Sequence, residues 1–262
     1  MTSEPWVRVE HDDGVAQVVL DRAPVNSFDD RFVGLVLDAM AGLGPDVRAV
    51  VVRSAVPAMF AAGGDLPWMA RAPLDEQLAF VARCQAAYSS FEAAAAPTIA
   101  AIDGPALGGG LELALCCDIR VVGASATLGL PEATIGLIAG AGGTQRLVRA
   151  VGQGIARDLL LTGRRITGVE AGAMGIASRV VPDGTAAEAA LALARRLADG
   201  PAEAIQATKR LAVAAPDLTL AEGLERERAE WAAVRRSAAT QEGLEAFAEK
   251  RRPDFRGVSA TS

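Results

Sequence analysis

Histidine occurs once in this 262-residue chain, and lysine only at Lys209 and Lys250. The single imidazole, His11 in His-Asp-Asp-Gly, reads as part of a surface hairpin turn. That excludes a Ser-His-Asp or Cys-His nucleophile arrangement and a His-rich metal site. The three cysteines, Cys84, Cys116 and Cys117, give no disulfide framework in a chain of this size. Neighbouring cysteines on a helix point in different directions and share a metal poorly, so buried reduced thiols are the reading. No apolar run approaches the roughly 18–20 residues of a membrane span. The opening stretch MTSEPWVRVEHDD has neither the basic start and apolar core of a secretory signal nor the composition of a transit peptide. A soluble, cytoplasmic protein is expected.

Charge excludes further classes. The net charge is −6, and Arg164/Arg165, Arg195/Arg196, Arg235/Arg236 and Arg251/Arg252 are pairs rather than a basic stripe. They read as solvated helix faces, and no nucleic-acid partner is expected. A P-loop needs Gly-Lys-Ser/Thr, and neither lysine follows a glycine. Gly140-Ala141-Gly142 and Gly152-Gln153-Gly154 place Gln145 and Arg157 where a dinucleotide fingerprint needs its third glycine. A Rossmann cofactor has no support.

What is present is core-forming residue: 51% of the chain is apolar. Val7–Glu10 and Val15–Asp21 alternate around an Asp13-Gly14 turn and predict a hairpin. Ser27 with Asp30 reads as a capping pair before a helix with Phe32, Val36, Met40 and Leu43 at helical spacing. Val47–Arg53, Thr98–Ile102, Asp118–Val122 and Arg179–Val181 read as strands. A second helical stripe runs through Leu74, Leu78, Val81, Tyr88 and Phe91, and a third helix spans Leu107–Cys116. Thr167–Glu170 and Thr219–Glu222 are capping boxes. The recurrence of strand, loop, helix and strand predicts an α/β fold with largely parallel pairing. After about residue 200 the chain is helix-forming and strand-free, so residues 1–200 are expected to form the core and 201–262 a helical region. Leu220, Leu224, Trp231 and Val234 give that region a narrow apolar face, suited to its own body or to a neighbouring subunit.

The stretch from Ala100 to Arg149 carries two glutamates, Glu112 and Glu132, in a markedly apolar setting. Either could be an exposed carboxylate. Leu111, Leu113, Ala114 and Leu115 leave Glu112 no polar face, however, and burial raises a carboxyl pKa. Gly108-Gly109-Gly110 precedes Glu112. The glycines serve either close packing or the access of a ligand to a helix-start N–H, a donor suited to a carbonyl oxygen gaining negative charge. Gly63-Gly64-Asp65, directly after a strand, could supply a second donor. Two weakly solvated carboxylates beside such a hole would form an acid–base pair next to a thioester carbonyl.

These motifs resemble the crotonase, or enoyl-CoA hydratase/isomerase, superfamily. Phe60-Ala61-Ala62-Gly63-Gly64-Asp65-Leu66 resembles its first oxyanion loop, and Asp103 through Leu113 its second. Gly129-Leu130-Pro131-Glu132, Gly142 through Leu147, Leu161-Thr162-Gly163 and Glu242 through Arg251 also match. The resemblance implies a spiral of ββα units with a helical C-terminal oligomerisation region, in a homotrimer or homohexamer. It implies an acyl-CoA thioester substrate whose oxygen is held by the N–H groups of Gly64 and Gly109. Glu112 would activate water and Glu132 would exchange the α-proton, hydrating a trans-2-enoyl-CoA. Ala62, Asp65, Leu66, Gly108, Pro131 and Gly140 take substrate-binding positions, and Phe247 and Lys250 would reach the CoA of an adjoining subunit. No cofactor is implied, since coenzyme A belongs to the substrate. The chain departs from the pattern at Pro67 and Ala139, which bear on the CoA and acyl sites. Trp68–Leu78 and Thr134–Ala141 are expected to wall the pocket. A Δ3,Δ2-enoyl-CoA isomerase, using mainly Glu132, is the alternative within the family; an RNA-binding or structural homologue is the alternative outside catalysis.

Overall fold

The Asp13-Gly14 turn joins β1 (Val7–Asp12) and β2 (Val15–Leu20) in an antiparallel hairpin, with Val9 opposite Val18. His11 is exposed on β1 beside that turn. The computed structural model describes residues 6–258; the first five residues of the stretch read as carrying no leader lie outside the described residues. Next come β3 (Ser27–Phe28) and α1 (Asp30–Ala41). Here the cap differs from expectation. Asp29 accepts from the Phe32 N–H at 2.8 Å, because Ser27 is drawn into strand pairing. The predicted stripe holds, with Phe32, Val36 and Met40 buried.

The chain continues through β4 (Ala49–Ser54), β5 (Gly63–Gly64), α2 (Leu66–Met69) and α3 (Leu74–Ala93). The predicted stripe of α3 holds in the second half of the helix, at Tyr88 and Phe91, and fails in the first. Leu74 and Leu78 are exposed, whereas Phe80, Cys84, Ala87, Tyr88 and Phe91 are buried. The helix is Ala-rich, so spacing alone defined its apolar side poorly in the first half, where packing turns Phe80 and Cys84 inward in place of Leu74 and Leu78. Then follow β6 (Thr98–Ile102), β7 (Ala106–Leu107), α4 (Gly109–Leu115), β8 (Ile119–Gly123), β9 (Thr127–Gly129) and a 3-10 turn at Pro131–Ile135. After α5 (Gly143–Thr162), β10 (Ile166–Thr167), α6 (Gly168–Met174) and β11 (Arg179–Val181), the chain is helical. These last helices are α7 (Ala186–Ala198), α8 (Ala202–Ala214), α9 (Leu220–Val234), α10 (Ala238–Glu249) and α11 (Phe255–Val258). Both predicted capping boxes are formed, at the starts of α6 and α9.

The main sheet has the order β1-β2-β4-β6-β8-β11, and only its first pair is antiparallel. Side chains alternate along each strand. Val50, Val52, Ala100, Ile102 and Val122 face the larger core, while Ala49, Val51, Ile99, Ala101 and Val121 face α7. Burial on both faces explains why these strands are apolar throughout. Each of β2, β4, β6 and β8 is followed by a short strand off the main sheet, and then by a helix. Four ββα turns thus stack as a spiral. The short strands pair among themselves, β3 with β5 and β7 with β9, and the catalytic candidates lie on these strands or in the turn or helix that follows them.

One buried cation ties α8 to the core. Lys209 Nζ donates to the carbonyls of Phe91 and Ala96 at 3.0 Å each and pairs with Asp118 at 2.8 Å. Replacing Lys209 with Met strands these acceptors and is expected to cost about 3–5 kcal/mol. Denaturant unfolding should show a smaller loss in the Lys209→Met/Asp118→Asn double variant, which removes both charges. Equal losses would deny the ion pair its role.

Candidate active site

The first oxyanion candidate follows from strand pairing. Among the described residues β5 pairs with β3 alone, and the Asp65 N–H donates to the Phe28 carbonyl at 2.9 Å. Successive amides of a strand point to opposite sides, so the Gly64 N–H points away from β3, where no strand receives it. The approach to β5 is fixed by Asn26, fully buried, whose Nδ2 donates to the Phe60 carbonyl and Ser54 Oγ at 2.8 Å each. The second candidate, Gly109, begins α4, where the first N–H groups have no helical acceptor.

The two glycine stretches touch. A Cβ on Gly63 would lie 2.9 Å from the Gly109 nitrogen, and one on Gly110 only 2.3 Å from the Ala61 carbonyl oxygen. A Cβ on Gly109 would reach Phe28 at 3.0 Å and the Tyr88 hydroxyl at 3.1 Å. Close packing therefore accounts for Gly110 and for one side of Gly109. Gly108 has φ +52°, and a side chain there would sit 2.8 Å from Glu132 Oε1. Phe28 supports both donors, its carbonyl setting β5 and its ring lying under Gly109.

Glu112 is buried on α4, as its apolar neighbours predicted, at 4% exposure. Its Oε1 accepts from the N–H groups of Ala141 and Gly143 at 2.8 Å each, the latter opening α5. Burial pushes its carboxyl up to about 7. The Gly143 amide opposes that rise, the Glu132 charge adds to it, and the Ala141 amide and Arg146 oppose it. Its Oε2 is left for the cavity. Glu132 is half-buried on the 3-10 turn, and its Oε2 is enclosed without a hydrogen-bond partner. Burial raises its pKa as well, against a backbone hydrogen bond.

A cavity of about 330 Å³ brings these groups together. Ala62, Gly64, Leu66, Gly108, Gly109, Glu112, Pro131, Glu132 and Gly140 all line it. Asp65 does not: its carboxylate caps α2 through the Trp68 N–H at 3.1 Å and lies 3.7 Å from Arg22. Pro67 sits in the first turn of α2, where a missing N–H costs little. Ala139 is buried near Gly143. Phe247, 85% exposed, and Lys250 lie on the C-terminal helical region, outside the cavity of their own chain. The wall expected from Trp68–Leu78 is corrected. Only Met69 of that range lines the cavity, and Trp68 packs edge-on against Phe80. The wall comes instead from Phe80, Val81, Cys84 and Tyr88, further along α3, and from Phe28. Thr134, Ile135, Leu137, Ile138 and Ala141 line it as expected. Two unpaired amides can hold an oxyanion, and two carboxyls of raised pKa can move protons beside it.

The family model described as enoyl-CoA hydratase/isomerase matches residues 10–258. The chain belongs to that family. A probable enoyl-CoA hydratase 2 of Arabidopsis thaliana, mitochondrial, is 39% identical over 250 residues, covering 94% of this chain and 83% of the relative. The human mitochondrial methylglutaconyl-CoA hydratase is also 39% identical, over 269 residues, covering 98% and 79% respectively. The crystal structure of an enoyl-CoA hydratase from Bacillus anthracis superposes with a TM-score of 0.93 at 34% identity, covering 97% of this chain and all of the other. Membership in the enoyl-CoA hydratase/isomerase family makes the stacked ββα spiral a crotonase fold. Members bind acyl-CoA thioesters and are typically oligomeric. Among the described residues, no helix is long and apolar enough to cross a membrane.

Proposed function

We propose that this chain is an enoyl-CoA hydratase, adding water in syn fashion across the double bond of a trans-2-enoyl-CoA. The observation that carries this reading is the pairing of Glu112 and Glu132 in one apolar cavity, beside the unpaired amides of Gly64 and Gly109. An isomerase needs one main base, whereas hydration uses one carboxylate to take a proton from water and another group to deliver one to carbon. The Gly64 and Gly109 N–H groups would hold the thioester oxygen as it gains charge. Glu112, ionised, takes a proton from water as the water oxygen bonds to the β-carbon. The π electrons move toward the thioester, and protonated Glu132 supplies the α-carbon. One water is consumed, and no electron leaves the pair of reactants, so the step calls for no redox group. Names of relatives such as methylglutaconyl-CoA hydratase support an unsaturated acyl-CoA as the substrate class. The exposed Leu220, Trp231 and Phe247 support a homotrimer or homohexamer covering the C-terminal helices.

Hydration of crotonyl-CoA, followed as loss of the conjugated enoyl absorbance, tests the reading. Glu132→Gln is expected to lower kcat by about 10²–10⁴-fold. Conversion of a 3-enoyl-CoA with no hydration at any chain length would make the chain an isomerase. Salt-dependent retention of RNA with neither activity would make it a binding homologue.

A further inference from the structure

Tyr88 is the chain's one tyrosine and is buried on α3 against Phe28, their rings 5.9 Å apart and edge-on. Its hydroxyl is enclosed in the cavity wall, where among the described residues its one polar neighbour is the weakly bonding Cys84 thiol and no oxygen or nitrogen partners it. An unpaired buried hydroxyl opposes folding, so its retention points to a polar group that arrives later. Its place indicates which one. Gly109 and Glu112 are three residues apart on α4 and therefore share a face. The Tyr88 hydroxyl borders the space that a Gly109 side chain would occupy, and it feels the Glu112 charge.

Glu112, Glu132 and Tyr88 all line the cavity, and among the described residues Glu112 Oε2, Glu132 Oε2 and the Tyr88 hydroxyl have no oxygen or nitrogen partner. Ionised Glu112 is an acceptor, protonated Glu132 holds the proton for carbon, and Tyr88 is a donor that stays protonated, because burial above all, and the Glu112 charge with it, raise its pKa. An enclosed water needs two to four such partners. We propose that Tyr88 is a further catalytic residue, donating a hydrogen bond to the water that Glu112 deprotonates. This rests on the hydratase reading. Tyr88 keeps its own proton throughout. The water gives one proton to Glu112 and its hydroxyl to the β-carbon, Glu132 protonates the α-carbon, and proton exchange with solvent restores both carboxyls, so the sum is addition of one water.

The test separates water addition from chemistry at the α-carbon. Tyr88→Phe is assayed for crotonyl-CoA hydration and for exchange of the α-protons of butyryl-CoA with deuterated solvent, a reaction that adds no water. Hydration kcat should fall roughly 10- to 100-fold. KM and α-exchange should stay within about twofold, and the melting temperature should not fall, because no satisfied bond is removed. Glu132→Gln should show the reverse sensitivity, losing α-exchange. Equal loss of hydration and exchange in Tyr88→Phe would place the residue at the oxyanion hole or in the scaffold and overturn the proposal. Unchanged hydration would overturn it as well. Failure of the wild-type chain to hydrate any enoyl-CoA would instead remove the hydratase reading, and this proposal with it.

Discussion

Replacing Glu112 with Gln is expected to cripple hydration while stabilising the protein above pH 7. Glutamine keeps an oxygen where Oε1 accepts from Ala141 and Gly143, so the cradle survives the change. It cannot take a proton from water, and kcat should fall by about 10²–10⁴-fold. The stability effect follows from linkage. Burial raises the Glu112 pKa from 4.5 to about 7 on folding, so the folded state binds more protons than the unfolded chain between those values. Wild-type stability therefore declines as pH rises from about 4.5 to 7 and stays lower above it. Glutamine carries no charge to desolvate and should recover on the order of 1–3 kcal/mol at pH 8, with the decline largely flattened. Thermal melts of both proteins from pH 4.5 to 8 measure this directly. The same titration should appear as an acid limb near pH 7 in wild-type kcat/KM, since the base must be ionised. A variant that is less stable at pH 8 than wild type would show that the carboxylate is not a strained, functional charge.

That trade-off was half visible in the sequence. Glu112 stood out because Leu111, Leu113, Ala114 and Leu115 left it no wet face, and burial followed. Its cradle did not stand out, because Ala141, in a loop, and Gly143, opening α5, come 29 and 31 residues later and contribute only backbone N–H groups. A carboxylate held by amides leaves no side-chain signature; the Gly142-Gly143 pair opening α5 was the only local hint. The strands of the main sheet were legible from their apolar runs, since burial on both faces demands them, while the short side strands were not. The capping boxes at Thr167 and Thr219 were legible because cap chemistry is confined to four residues. The pocket wall was not. Phe28 reaches the site through the two-residue pairing of β3 with β5, too short to leave a period. On α3, alanines blurred the phase of the apolar stripe, so Tyr88 and Phe91 were read as inward correctly while the exposed Leu74 and Leu78 were included and Phe80 and Cys84 left out. The triple glycine resolved into three separate causes, and the packing one, at Gly110, was as real as access to an amide.

The glycines also set the sharpest test of the oxyanion geometry, at a residue that is not itself one of the two donors. Gly63→Ala is expected to lower kcat by about 10²–10³-fold, comparable to loss of an oxyanion donor. The added Cβ would lie 2.9 Å from both the Gly109 nitrogen and the Leu107 carbonyl oxygen. Neither atom can swing aside as a flexible side chain would, so β5 and the start of α4 must separate. That separation moves the Gly64 and Gly109 amides apart, and a hydrogen bond to one oxygen from both fails steeply with such a shift. Gly63 also has φ +88°, which costs an L-residue roughly 1–2 kcal/mol before any contact is counted. Gly34→Ala serves as the control. It lies in α1 with nothing within 4 Å of its added Cβ, and should stabilise the helix by about 0.5–1 kcal/mol. The absorbance of a bound aromatic enoyl-CoA reports the polarisation of its carbonyl. Its red shift should shrink in Gly63→Ala and persist in Gly34→Ala. A full shift with wild-type hydration in Gly63→Ala would mean that the thioester oxygen is held somewhere other than between these two amides.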